Sequence, residues 1–122
     1  MKIFITGSTG QVGFHMVEYL VKERPVDFGS PENIICLVRS RKKALELQEF
    51  GVSIVEGTLS DVETINKVMS EEGLQMVIHN AANIDTSASF SDYYRDNYVG
   101  TRNMLEAFAK SSAKAFVFAS SV

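Results

Sequence analysis

Residues 6–13 read Thr-Gly-Ser-Thr-Gly-Gln-Val-Gly and follow directly on the apolar run Lys2-Ile3-Phe4-Ile5. A strand that ends in a glycine-rich turn and opens a helix binds the phosphates of a dinucleotide. Each glycine lacks a side chain for its own reason. Gly7 permits the tight turn off the strand. Gly10 lets a pyrophosphate approach the backbone, and Gly13 lets the helix pack closely on the strand. Ser8 and Thr9 complete the turn and join the expected cofactor-binding set. The unpaired N–H groups of Gln11 and Val12, at the positive end of the helix dipole, are expected to face the phosphates. No Lys-Ser/Thr pair closes the turn, so it is not an ATP or GTP P-loop.

A second candidate lies at the end of the apolar run Ile34–Val38, where Arg39 is followed by Arg41, Lys42 and Lys43 and no acid occurs between residues 34 and 45. The adenosine ribose of a dinucleotide is expected beside this strand end. A carboxylate there accepts bonds from a 2′-hydroxyl and favours NAD, whereas a guanidinium pairs with a 2′-phosphate and favours NADP. The sequence therefore predicts NADP(H), with NAD as the alternative. Other reactive side chains are sparse. Two His and one Cys exclude a zinc site of ordinary composition. His79 ends an apolar run and reads as a hydrogen-bonded structural residue, His15 as a helix-surface residue, and Cys36 as a small buried hydrophobe. Tyr93, Tyr94 and Tyr98 have partly helical spacing and read as core or interface packing.

The totals frame these groups. A chain of 122 residues, 45% hydrophobic with net charge −3, is one globular domain with a real core. Slight acidity argues against general nucleic-acid binding. No run approaches membrane-spanning length, no signal peptide is recognisable and a lone cysteine suits a reducing compartment, so the cytoplasm is expected, with no membrane partner. A small-molecule substrate and a possible homo-oligomer are the expected partners.

Strand and helix patterns alternate along the chain. Strands are predicted at Lys2–Thr6, Ile34–Val38, Val52–Val55, Gln75–His79 and Ala115–Ala119. Helices are predicted at Gln11–Glu23, with Val12, Met16, Tyr19 and Leu20 on one face, and at Arg41–Phe50, capped by Ser40. Two more are predicted at Asp61–Glu72, with a Ser60/Glu63 capping box and Val62, Ile65 and Met69 inward, and at Phe90–Ser111. Arg24–Asn33 is a loop. The order βαβαβαβαβ predicts an α/β, Rossmann-type doubly wound parallel sheet, five strands in order 3-2-1-4-5 with helices on both faces. The glycine turn, Arg39, Gly57–Leu59, His79–Asn83 and Ser120–Ser121 all follow strands and are expected to line one edge.

Together these segments resemble the N-terminal part of an extended short-chain dehydrogenase/reductase, the NAD(P)-dependent epimerase/dehydratase/reductase superfamily. Thr6–Gly13 is similar to its TGxxGxxG turn. Gly57-Thr58-Leu59-Ser60-Asp61 resembles its G-D-[LIV]-x-D segment beside the adenine, with Thr58 in place of the usual Asp. His79-Asn80-Ala81-Ala82 resembles the H-x-A-A stretch along the cofactor, Asn97-Tyr98-Val99-Gly100-Thr101 the N-V-x-G-T segment, and Phe118–Val122 the end of strand five. The resemblance implies that Thr58, Leu59, Ala81 and Ala82 lie along the cofactor. It also implies that Ser121 is the catalytic hydroxyl, and that Asn97 fixes strand four and holds a water in a proton relay. Cys36-Leu37-Val38-Arg39 is most like the reductase branches.

The family's Tyr-x-x-x-Lys proton donor is not matched, since no Tyr here has a Lys four residues later. An N-terminal fragment of a longer oxidoreductase is therefore expected, without turnover on its own. Two alternatives stand beside it, an NAD-dependent nucleotide-sugar epimerase/dehydratase and a non-enzymatic NADP(H) redox sensor. If Arg39 selects the 2′-phosphate, Arg39→Ala is expected to weaken NADP⁺ binding about 10–100-fold in a calorimetric titration, the worth of one lost charge-assisted bond.

Overall fold

Ile3, Phe4 and Ile5 are wholly buried and Thr6 nearly so, because a strand covered on both faces of a sheet has no solvated side. The computed structural model describes residues 1–120. That first strand, β1 (Lys2–Thr6), is central to a sheet with β2 (Ile34–Val38), β3 (Ser53–Glu56), β4 (Leu74–His79) and β5 (Ala115–Phe118). The strand order is β3-β2-β1-β4-β5 and every pairing is parallel. This is the doubly wound Rossmann-type sheet that the alternating pattern predicts. The winding reverses between β1 and β4, so a crevice opens beyond their carboxyl ends.

Alternation along the strands divides the core into two layers. Ile3, Ile5, Ile34 and Cys36 face Val17 and Leu20 of α1 (Gln11–Glu23) and Leu47 of α2 (Leu45–Gln48). Phe4, Ile35 and Leu37 face Ile65, Val68 and Met69 of α3 (Val62–Met69). Met104 and Ala107 of a later helix join that second layer. Phe28 is fully buried in the first layer although it comes from the irregular segment 24–33. The Arg24 guanidinium stands 4.4 Å from its ring centroid.

Several elements differ from the sequence pattern. The helix expected over Arg41–Phe50 is a 3₁₀ turn, Arg41–Ala44, followed by the single turn of α2, and the Ser40 side chain makes no cap bond. Three consecutive cations at the start of a helix oppose its dipole. The Ser60/Glu63 box does not form. α3 starts at Val62, and the Asp61 carboxylate folds back to accept from Thr58 N at 2.8 Å. Val62 is exposed rather than inward. α3 ends at Met69, short of Glu72, and β3 lies one residue later than expected. In α1 the buried stripe is Gly13, Val17 and Leu20, while Val12 and Tyr19 are exposed. At about 100° per residue those two stand well off the stripe.

The long helix predicted over Phe90–Ser111 is three pieces: α4 (Phe90–Tyr93), a π-helical turn at Tyr94–Val99, and α5 (Gly100–Ala109). Ser89 and Asp92 close a capping box at its start. The tyrosines are not core. Tyr94 and Tyr98 are exposed and stack at 5.0 Å, and the Tyr93 hydroxyl donates to the Asp85 carbonyl.

Phe4 is the largest wholly buried side chain of β1. Phe4→Ala is expected to lower unfolding stability by about 3–5 kcal/mol in a urea titration. The same truncation at Phe118, half exposed on β5, is expected to cost much less.

Candidate functional site

A cleft of about 760 Å³ opens where β1 and β4 part. Its floor is the turn that follows β1. Gly7 has φ +71°, and a Cβ there would stand 2.6 Å from the Ala81 nitrogen. A Cβ on Gly13 would stand 2.0 Å from the Gly7 carbonyl oxygen. Both positions are backbone-to-backbone contacts. Gly10 is different, because a Cβ there would meet only the Gly7 carbonyl, at 3.4 Å, and otherwise open space.

Helix α1 starts at Gln11 with no side-chain cap and no acid in its first turn. The first amide of the helix to be bonded is that of Phe14, to Gly10 O at 2.8 Å. The N–H groups of Gln11, Val12 and Gly13 have no acceptor among the described residues. Such a terminus carries partial positive charge and three free donors.

Of the residues singled out in the sequence, Gly7, Thr9, Gly10, Gln11, Val12, Gly13, Arg39, Thr58, Leu59, Ala81 and Ala82 line this cleft. Ser8 does not. It is fully buried beneath the turn. Ser120 and His79 do not line the cleft either, and Ser121 lies outside the described residues. Asn97 works from behind the wall. Its Oδ1 accepts from Asn83 N at 2.6 Å and its Nδ2 donates to Asn83 O at 3.0 Å, so it pins the segment that leaves β4. Thr58 donates its amide to Asp61 and lends its hydroxyl to Ser60 N. Leu59 packs where a Cβ on Gly100 would stand, and its carbonyl accepts from Asn103 Nδ2.

His79 joins three elements below the cleft. Thr6 Oγ1 accepts from Ala81 N at 3.2 Å and hydrogen-bonds with His79 Nδ1 at 2.7 Å. His79 Nε2 hydrogen-bonds with Thr101 Oγ1 at 3.0 Å. Each ring nitrogen thus has one hydroxyl partner. Burial pushes the pKa of the ring down to about 4. The same cause pushes the Cys36 thiol up to about 11.

The cleft also holds a carboxylate that the sequence pattern does not reveal. Asp96, in the π-helical turn, is 8% exposed and lines the wall. Arg95 donates to it at 2.9 and 3.2 Å and Asn83 Nδ2 at 2.9 Å. The Arg95 bond is the first reason its pKa lies below the usual carboxylate range, and Asn83 and Arg39 act in the same direction against burial. Arg39 Nη2 stands 3.8 Å from Asp96 Oδ2. The one local signal for Asp96 is a polar Asp-Asn pair within a stretch that otherwise reads as amphipathic helix. Among the described residues no group of three His, Cys, Asp or Glu is placed to hold a metal, and no helix is long and apolar enough to cross a membrane.

Over residues 3–122 the sequence matches the NAD dependent epimerase/dehydratase family. It is 32% identical to a photosystem II assembly factor of Synechocystis, over 97% of this chain and 33% of that protein. It is 28% identical to a UDP-glucose 4-epimerase of Halalkalibacterium halodurans, over 98% of this chain and 34% of that protein. Among solved structures, yeast methylglyoxal/isovaleraldehyde reductase in complex with NADPH has a TM-score of 0.80 at 25% identity, over 99% of this chain and 37% of that one. The chain spans about a third of the length of the curated relatives it matches.

Because the folded pKa of His79 is depressed to about 4 from an unfolded value of about 6.5, the unfolded chain binds more protons between these values. Stability is therefore fully present above about pH 6.5 and is lost as pH falls toward 4. Urea titrations across this range are expected to show that slope, and His79→Gln is expected to remove its contribution.

Proposed function

Since the chain belongs to the NAD-dependent epimerase/dehydratase family, we propose that its cleft binds a nicotinamide dinucleotide, NADP(H) in preference to NAD. The whole protein is then an oxidoreductase acting on a carbonyl or secondary alcohol. The observation that carries the reading is the start of α1, where three amides without acceptors surround open space at Gly10. A pyrophosphate fits that arrangement because it supplies several anionic acceptors and needs a close backbone approach. The cleft volume of about 760 Å³ falls in the range of small-molecule and cofactor sites, about 300–1,000 Å³.

When bound, the nicotinamide supplies hydride-transfer chemistry. The residues of this chain bind and orient. Gln11, Val12 and Gly13 donate to the pyrophosphate, and Arg39 pairs with the 2′-phosphate. Asn97 holds Asn83, and through it Ala81 and Ala82, along the cofactor. Ser121, by its place after β5, donates a hydrogen bond to the substrate oxygen. These 122 residues contain no Tyr-x-x-x-Lys, so they supply no proton donor of that kind. The NADPH complex of the yeast reductase is in keeping with a nicotinamide dinucleotide in the cleft.

A second reading, suggested by the likeness to the photosystem II assembly factor of Synechocystis, is a non-enzymatic protein that acts through a partner. A third, an NAD-dependent epimerase, draws on the likeness to UDP-glucose 4-epimerase. Titration with NADP⁺ and NAD⁺ at matched salt tests the first reading, in which NADP⁺ binds tighter. Tighter NAD⁺ binding favours the epimerase, and binding of neither overturns the cleft assignment. Gly10→Ala separates fold from binding. Its Cβ fits the turn but enters the phosphate space. Thermal stability is expected to change by less than about 1 kcal/mol, while dinucleotide affinity falls more than about tenfold.

A further inference from the structure

Resting on the reading of the cleft as a dinucleotide site, we propose that Asp96 restrains the choice of dinucleotide by drawing the Arg39 guanidinium across the cleft, away from a 2′-phosphate. Arg39 ends β2 and Asp96 comes from the turn beyond β4, on opposite sides of β1 in the sheet. Both line the cleft, so their pairing spans it. The two partners differ in freedom. The Asp96 side chain is 11% exposed and fixed by Arg95 and Asn83, whereas that of Arg39 is 71% exposed. The carboxylate is the anchor and the guanidinium is the moving part.

The 3.8 Å separation is too long for a direct hydrogen bond, so the attraction is Coulombic and weak for so exposed a partner. A phosphate offers Arg39 two short charge-assisted bonds and can displace it. It must nevertheless part the pair first. NAD, with a hydroxyl at that place, does not incur that cost. Lys43 and Asp85 also face the cleft, but Asp96 is the one carboxylate within 4 Å of Arg39 among the described residues. The absence of any acid from residue 34 to 45 means that the restraint is supplied from across the cleft and not from the strand end.

Asp96→Asn keeps an oxygen for Arg95 and removes the charge. Calorimetric titration of the wild type and this variant with NADP⁺ and NAD⁺ is expected to show the NADP⁺:NAD⁺ affinity ratio rise about 3- to 10-fold. In an Arg39→Ala background, adding Asp96→Asn is expected to move the ratio by less than about twofold, since the effect runs through the guanidinium. Asp96→Ser serves the same test if the amide variant does not fold. A ratio that stays level or falls, with both dinucleotides binding the wild type, overturns the proposal and leaves the cleft reading standing. A wild type that binds neither dinucleotide overturns both.

Discussion

At the carboxyl end of β1 the peptide of Gly7 lies against those of Asn80 and Ala81, and the first turn of α1 lies against Gly7 itself. No other residue type fits at Gly7 or Gly13 without moving backbone. Everything that lines the cleft is referred to this contact. It sets how far α1 stands from the sheet, and so where its free amides point. The bond from Ala81 N to Thr6 Oγ1 adds direction to the contact, and Thr6 passes it on to His79 and Thr101. Backbone touching backbone, extended by these side-chain bonds, thus fixes β1, β4 and α5 to one another beneath the cleft.

The π-helical turn is the second organising feature. With more residues in each turn, neighbouring side chains diverge less, and Asp96 and Asn97 both reach Asn83. One residue of the loop after β4 is therefore held by two consecutive residues of the helix. A π-turn at such a place is common near functional sites. Here it carries a buried anion to the cleft wall and fixes the loop opposite Arg39.

The strand order and the glycine turn were legible because their signals are local. Apolar runs mark buried strands, and Gly51 and Gly73 take positive φ in the turns that follow α2 and α3. Three other features were not legible, each for a physical reason. Ser60 loses the start of α3 because the neighbouring Asp61 carboxylate finds the Thr58 amide. The phase of α1 is set by Gly13 against Gly7, so an apolar Val12 faces the cleft rather than the core. Asp96 has partners at Asn83 and Arg39, far off in sequence, and a 3.6-residue period cannot display an inserted π-turn. Arg39 could be placed at its strand end, but the acid facing it could not.

Cys36, the single cysteine, sits wholly buried in the middle of β2 with a thiol pKa of about 11. Alkylating reagents consume thiolate, and in the closed sheet almost none is present or reachable at neutral pH. Labelling then proceeds only through moments when β2 parts from its neighbours. The rate of that reaction is a clock on the opening of the sheet. Because β2 runs straight into Arg39, any molecule that holds this edge shut slows the clock, whether or not it is ever turned over.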